Sequence, residues 1–169
     1  MNSKNKIAAV LFSGGKDSCL ALHIAKKQGY DIKYLLTVMP ENFDSFMFHK
    51  PYLNLLEKQA EMLNIDLIVF GSKGEENEEL GDLKELVKSV KNKVGTIIVG
   101  GIASNYQGKR VKNLCDELKL EFYAPLWDYK GEKIWKELLI KDFKVVMTKI
   151  ACEGIPSNFL GKTIDGKRF

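Results

Sequence analysis

Short apolar runs rich in β-branched residues alternate with segments of helical spacing along most of this 169-residue chain. The runs are nearly continuous instead of alternating apolar with polar residues, which is typical of strands covered on both faces of a sheet. This alternation limits the chain to few architectures. The predicted strands cover residues 7–12, 32–39, 67–70, 96–100, 121–124 and 144–150.

Apolar residues recur at intervals of three and four between the strands, which predicts amphipathic helices. One helix is predicted from about residue 18 to Gly29, a residue typical of the position just after a helix. Two more are predicted over 105–118 and 130–141. The remaining two are indicated by Leu53, Leu56, Ala60 and Leu63, and by Leu80, Leu83, Leu86, Val87 and Val90.

Repeated strand–helix units predict an α/β fold, a doubly wound parallel sheet of five or six strands with right-handed crossovers and helices on both faces. The sequence shows neither an internal repeat nor a linker, so we expect one domain over residues 1–169. Ligands of such sheets bind beyond the carboxyl ends of the strands, where the strand order reverses. The loops to search are therefore 13–18, 40–51, 71–78, 101–106, 125–130 and 151–162.

The first of these loops reads SGGKDS and joins the first predicted strand to a helix. Such a turn leaves backbone N–H groups unpaired at the helix start, and together with the helix dipole they favour a phosphate. Lys16 adds a cation, and Ser13 and Ser18 add hydroxyl groups. The alternative is an ordinary tight turn with a capping serine and a solvated Lys–Asp pair. We favour the phosphate loop because the first strand of the sheet leads into it.

Two common phosphate-binding patterns do not fit the chain. The SGGKDS loop lacks the four residues that a Walker loop places between its first glycine and Gly-Lys-Ser/Thr, and Gly-x-Gly-x-x-Gly is absent. The segment 154–163, which ends in Gly-Lys-Thr, has six residues between its glycines, so we reject it as a Walker loop.

Composition indicates a globular protein without a specialised surface. The net charge is +4, but the lysines are scattered, so neither a dedicated nucleic-acid site nor membrane binding is predicted. The three cysteines lie far apart and form no Cys-x-x-Cys pair, which argues against a structural zinc site, a disulfide scaffold and a dithiol redox enzyme. Residues 1–6 are polar, and no apolar stretch approaches the roughly 20 residues of a membrane span, so a cytoplasmic location is expected.

The SGGKDS loop resembles the PP-loop of the ATP pyrophosphatases. Four further blocks are similar, in the same order, to the diphthine–ammonia ligase family: LLTVMPENFDSFMFHKP (35–51), IVGGIASNYQGKRV (98–111), APLW (124–127) and GIPSNFLGKTID (154–165). The resemblance implies that ATP is cut between its α- and β-phosphates, with Mg²⁺ as cofactor. The carboxylate of diphthine, a modified histidine on elongation factor 2, would be adenylated and then amidated by ammonia. A homodimer is an open alternative to a monomer.

The resemblance implies an ATP site at Ser13, Gly14, Gly15, Lys16, Asp17 and Ser18. The small-residue turn of Gly100, Gly101, Ile102, Ala103 and Ser104 is expected beside the nucleotide, or is a plain strand-to-helix turn capped by Ser104. Substrate-facing residues would be Glu41, Asn42, Asp44, Ser45, His49, Tyr106, Gln107 and Arg110. Lys16, Asp17, His49 and Arg110 are the candidate catalytic residues; no cluster of protein ligands for a metal is predicted.

Several of these residues have a plainer alternative. Arg110 either clamps a phosphate or carboxylate or forms a surface salt bridge, and His49 is either catalytic or a hydrogen-bonded loop residue. His23, on the first helix, is predicted to be structural. Cys19 either has a lowered pKa at the helix N-terminus or, as we favour without a partner cysteine, is a small packing residue.

The chain departs from the family pattern at two points. Tyr52 follows a His-x-Pro motif where the family commonly has asparagine, and the family's Gly/Glu-rich continuation is not among the 169 residues. A truncated chain and the loss of part of the acceptor site are both open. Two other functions are also open: a PP-loop enzyme that acts on tRNA or a small molecule, and a nucleotide-binding module without catalysis.

Overall fold

The computed structural model describes residues 6–41, 51–75, 78–101, 105–150 and 154–164, with only the backbone for 105–107. The chain divides into two compact units, residues 1–127 and residues 128–169. A single domain over the whole chain remains a prediction. No helix in the described ranges has both the length and the apolar character needed to cross a membrane.

The first unit contains a parallel five-stranded sheet, which confirms the predicted fold class. Its strands are β1 (Ile7–Leu11), β2 (Asp31–Pro40), β3 (Asp66–Ser72), β4 (Thr96–Val99) and β5 (Glu121–Tyr123). Their order across the sheet is β3-β2-β1-β4-β5, and every neighbouring pair is parallel. The order therefore reverses at β1, which lies between β2 and β4. Loops that follow β1 and β4 flank this switch point, where open α/β sheets bind ligands.

Four helices follow the first four strands of this unit. They are α1 (Lys16–Lys27), α2 (Leu53–Leu63), α3 (Glu79–Lys88) and α4 (Asn105–Glu117). The predicted helix at residue 18 begins two residues earlier, because Gly15 is already extended at the cap position. Gly29, at φ +81°, follows the C-cap residue Gln28 as predicted. Residues of helical spacing thus form helices wherever they lie between strands.

Burial follows the central strands. All four residues of β4 are buried, whereas the edge strand β5 is exposed or half-buried along its length. One large apolar cluster joins α3 and α4 to β4, with Leu86, Val87 and Leu114 among its members. No residue of α1 or α2 belongs to that cluster, although Leu20 and Leu56 are fully buried. This separation is that of a sheet with helices on both faces.

The second unit corrects one predicted strand. It contains α5 (Gly131–Ile140) and the two-residue strands β6 (Val145–Val146) and β7 (Thr163–Ile164), which pair antiparallel. The predicted strand over 144–150 is therefore wrong in length and is no part of the parallel sheet. The prediction assumed that this apolar run is buried on both faces of a sheet, but Val146 is 47% exposed. Thr163 lies in a strand, whereas the Ser/Thr of a Walker loop opens a helix, in agreement with the rejected Walker assignment.

Candidate nucleotide site

The loop after β1 is tied firmly to β2 at its start. The backbone N–H of Phe12 donates to the Leu36 carbonyl at 2.8 Å, and the Thr37 hydroxyl donates to the Phe12 carbonyl at 2.5 Å. The chain then turns at Gly14, whose φ of +70° lies in the left-handed region that glycine adopts without strain. Gly15 is extended, and α1 begins at Lys16. The loop thus leads from the central strand directly into a helix N-terminus.

The first turn of α1 is suited to an anion. Its cap residue, Gly15, has no side chain that could occupy the first backbone N–H groups. The Ser18 hydroxyl donates to the Gly15 carbonyl at 3.0 Å, and the Ser13 and Ser18 hydroxyl oxygens lie 3.3 Å apart. The Gly15 N–H donates to the Ser13 hydroxyl oxygen at 3.4 Å. The loop therefore gathers two hydroxyl groups beside the positive end of a helix dipole.

Lys16 and Asp17 form an ion pair within this turn. The Lys16 ammonium lies 2.9 and 3.0 Å from the two carboxylate oxygens of Asp17. Both side chains are about one-third exposed, at 33% and 30%. Exposed pairs of this kind contribute little to stability, so Lys16 can exchange the carboxylate for a phosphate at small cost.

The end of β4 lies against the same turn. A Cβ atom on Gly100 would lie 2.7 Å from both the Cα and the N of Ser18. A Cβ atom on Gly101 would lie 2.8 Å from the Asp17 Oδ2 atom. The structure thus brings two of the five predicted turn residues to the loop, while Ile102, Ala103 and Ser104 lie outside the described residues. Their contact with a nucleotide stays a prediction.

Sequence reasoning missed Gln59 of α2, which also contacts the loop. Its side-chain Nε2 donates to the Gly14 carbonyl at 3.1 Å. The available signal was a polar residue placed between the buried residues Leu56 and Ala60, on the inward side of an amphipathic helix. That pattern indicates an amide with an internal partner, although it does not identify the partner.

Cys19 is half-buried on α1, and its assignment as a packing residue stays a prediction. Burial, opposed only in part by the hydrogen bond with Ser18, raises the pKa of its thiol from 9.0 to about 11. Desolvation by burial is the largest cause of this shift, and its direction is opposite to that expected of a thiol activated at a helix N-terminus. The thiol lies 3.6 Å from the Gly14 carbonyl oxygen, to which it is a hydrogen-bond donor.

We expect Cys19 to resist alkylation in the folded protein. At about pH 8 iodoacetamide should label the Cys19 peptide much more slowly in the native than in the unfolded chain, as mass spectrometry can measure. Because the folded-state pKa lies above the unfolded value of 9.0, the thiol favours folding below that pH, and the contribution is lost as the pH rises toward 11. Equal labelling rates in the native and unfolded protein would contradict this account.

The structure describes fewer of the predicted substrate-facing residues. Glu41 is exposed, and its N–H donates to the Ser72 carbonyl at 2.8 Å, which continues the pairing of β2 with β3. Arg110 is half-buried on α4. Tyr106 and Gln107 belong to the same helix, but their side chains lie outside the described part, as do the residues Asn42, Asp44, Ser45 and His49. The roles of all these residues stay predictions.

The structure also places His23, which is predicted to be structural, and Tyr52, where the chain departs from the family pattern. His23 is half-buried on α1, and Tyr52 caps the start of α2 with 81% of its surface exposed. Within the described ranges, no three His, Cys, Asp or Glu side chains are grouped so that they could hold a metal ion.

Comparison with known proteins assigns the chain to a family. A sequence model of the diphthamide synthase N-terminal domain matches residues 6–122, which is more than half of the chain. Relatives named diphthine–ammonia ligase include one from Mus musculus, 32% identical over 92% of this chain and 66% of its own, and one from Homo sapiens, 33% identical over 93% and 67%. A third, from Schizosaccharomyces pombe, is 28% identical over 91% of this chain and 28% of its own. The chain spans about two thirds of the mammalian relatives and belongs to the diphthamide synthase N-terminal domain family.

Proposed function

We propose that this protein is an ATP-dependent ligase that converts the carboxylate of diphthine on elongation factor 2 into an amide with ammonia. The observation that carries the proposal is the loop of Gly14, Gly15 and Lys16 at the switch point of the sheet, in a chain of this family. The related proteins from mouse and human bear the name of that activity. Elongation factor 2 works in the cytoplasm, so we place the reaction there; a homodimer is compatible with the same chemistry.

The proposed reaction has two steps. A carboxylate oxygen of diphthine attacks the α-phosphorus of ATP, the bond between the α-phosphorus and the bridging oxygen breaks, and pyrophosphate leaves with that oxygen. Ammonia then attacks the acyl carbon, loses a proton, and displaces AMP to give the amide. The first step builds negative charge on the departing pyrophosphate, and this is the charge that the protein must stabilise.

The residues of the loop suit that task. The start of α1 presents backbone N–H groups, which carry partial positive charge. Lys16 adds a full positive charge beside them. Gly14 and Gly15 have no side chains that would keep a phosphate away from these groups. Donors that are oriented in advance stabilise a developing charge without further reorganisation. Arg110 and His49 are proposed to act on the α-phosphate or the acceptor, and Glu41 to face the acceptor.

The loop offers one carboxylate that could bind Mg²⁺. Magnesium commonly binds through one or two carboxylates together with substrate phosphates, and Asp17 is a carboxylate in the loop. Asp17 would hold the ion after Lys16 turns from its carboxylate to a phosphate. When bound, the ion would supply additional positive charge to the pyrophosphate.

The proposal is tested with the full protein, ATP, Mg²⁺, isotopically labelled ammonium and elongation factor 2 that carries diphthine. We expect the labelled nitrogen to appear in the modified histidine, as peptide mass spectrometry would show. No incorporation, together with ATP-dependent modification of a tRNA, would favour the tRNA alternative. ATP binding without turnover on any acceptor would favour a nucleotide-binding module.

A further inference from the structure

The peptide group between Gly14 and Gly15 is held from one side by two donors. Its carbonyl oxygen, on Gly14, accepts a hydrogen bond from the Gln59 side-chain Nε2 at 3.1 Å. The Cys19 thiol donates to the same oxygen at 3.6 Å. Gln59 belongs to α2 and Cys19 to α1, so two helices converge on a single carbonyl group of the loop.

The direction of this carbonyl sets the direction of the next amide. In a trans peptide the C=O and the following N–H point in opposite directions, and no described peptide bond of the chain is cis. Fixing the Gly14 oxygen against Gln59 and Cys19 therefore turns the Gly15 N–H to the other side. There the N–H contacts the Ser13 hydroxyl oxygen at 3.4 Å. The Gly14 carbonyl and the Gly15 N–H thus point to opposite sides of the loop backbone, within one peptide plane.

A peptide between two glycines needs such a restraint. Without Cβ atoms, rotation about the bonds on either side of it meets little steric resistance. A flipped peptide would aim the carbonyl oxygen at a bound phosphate and remove one N–H donor. Both changes would weaken the binding of an anion.

The amide group of Gln59 lowers the stability of the fold through one of its two polar atoms. Its Oε1 atom is buried and has no hydrogen-bond partner among the described residues. A buried acceptor without a partner is destabilising, and an apolar side chain of the same size would avoid the loss. The side chain also fits tightly, because a Cβ on Gly14 would lie 2.5 Å from Oε1. The hydrogen bond to the Gly14 carbonyl is the contact in this structure that offsets the loss.

We propose that Gln59 and Cys19 are positioning residues that fix the orientation of the Gly14–Gly15 peptide, so that its N–H faces the pyrophosphate group, which replaces the long contact with the Ser13 hydroxyl oxygen. The inference rests on the proposed function, since it assigns the phosphates of ATP to this loop. This restraint on the Gly14–Gly15 peptide, here called the lock, affects the binding of the phosphate end of the nucleotide and leaves the binding of the adenosine end unchanged. Its effect therefore differs between ligands with and without the pyrophosphate portion.

The test compares Gln59→Met with Gln28→Met by calorimetry with magnesium pyrophosphate and with AMP. Methionine preserves the volume of Gln59 while removing both the donor and the unpartnered acceptor. Gln28 is the matched control, because its side-chain oxygen accepts from the Tyr123 hydroxyl at 2.6 Å and it lies at the other end of α1. We expect Gln59→Met to weaken pyrophosphate binding about tenfold, the loss of one hydrogen bond, with unchanged AMP binding and an undiminished melting temperature. Gln28→Met should leave both ligands unaffected.

Cys19 supplies a rescue experiment. Cys19→Ala removes a donor and should weaken pyrophosphate binding, while Cys19→Ser keeps a donor and should restore part of it. Unchanged pyrophosphate affinity in Gln59→Met would overturn the lock, as would a parallel fall of pyrophosphate binding, AMP binding and melting temperature. Pyrophosphate and ATP that fail to bind the unmodified protein would overturn the proposed function together with the lock.

Discussion

Replacement of Lys16 by alanine is expected to slow ATP-dependent pyrophosphate release by about 100- to 1,000-fold, the usual effect of removing one group that stabilises a developing anion. The Lys16 ammonium is held at the loop by Asp17, 2.9 Å away, and lies next to the helix start. Without it, the charge that accumulates on the leaving group loses the cation of the SGGKDS loop, and the N–H and hydroxyl groups that remain in this loop are neutral. The rate is measured by a coupled pyrophosphate assay with diphthine-bearing elongation factor 2 and ammonium.

A second lysine provides the control for Lys16→Ala. Lys58 lies on α2 with 74% of its side chain exposed, and its ammonium pairs with Glu61 at 2.7 Å. Lys58→Ala removes the same charge from the surface and should leave the rate unchanged. An unchanged rate in Lys16→Ala itself would remove this lysine from the mechanism.

The largest expected effect on stability is that of Gly100→Ala. The added methyl group would lie 2.7 Å from the backbone of Ser18, and a backbone contact of this kind cannot be relieved by a change of rotamer. Overpacking typically lowers the free energy of unfolding by about 1–3 kcal/mol, so we expect a loss in that range. Urea unfolding followed by circular dichroism measures it. Because the clash displaces the start of α1, binding of magnesium pyrophosphate should weaken as well.

Gly81→Ala is the matched control for the stability measurement. Gly81 lies within α3, and apart from the backbone of α3 itself no described atom would lie within 4 Å of a Cβ atom at this position. Alanine is favoured over glycine in a helix by about 0.5–1 kcal/mol, so this variant should be more stable than the unmodified protein. Equal stability of Gly100→Ala and the unmodified protein would show that β4 and α1 are not in close contact.

The central strands could be predicted from the sequence because their own residues are characteristic of buried strands. The run TIIV of β4 consists of β-branched residues, three of them apolar, and all four residues are buried, so pattern and environment agree. The run over 144–150 looked similar, but only Val145 and Val146 form a strand, and its partner is the antiparallel β7. Apolar character alone does not distinguish a strand of the main sheet from a short surface pair. The strand with which a segment pairs decides which sheet it joins, and the local sequence of the segment does not identify that strand.

The candidate site divides in the same way. The SGGKDS loop is contiguous, so its residue types and its position after a strand were sufficient to predict an anion site. Gln59 is 45 residues away from Gly14 and reaches it only through the packing of α2. The raised pKa of Cys19 likewise depends on burial in the folded chain, which a helix N-terminus in the sequence does not reveal.

We propose above that the loop after β1 holds the departing pyrophosphate, so that ATP breaks between its α- and β-phosphates. The direct measurement uses ATP radiolabelled at the α-phosphate, with the acceptor, ammonium and Mg²⁺, and separates the products by chromatography. We expect the label to appear in AMP, in an amount equal to that of the pyrophosphate released. Label recovered in ADP, with inorganic phosphate as the second product, would contradict it.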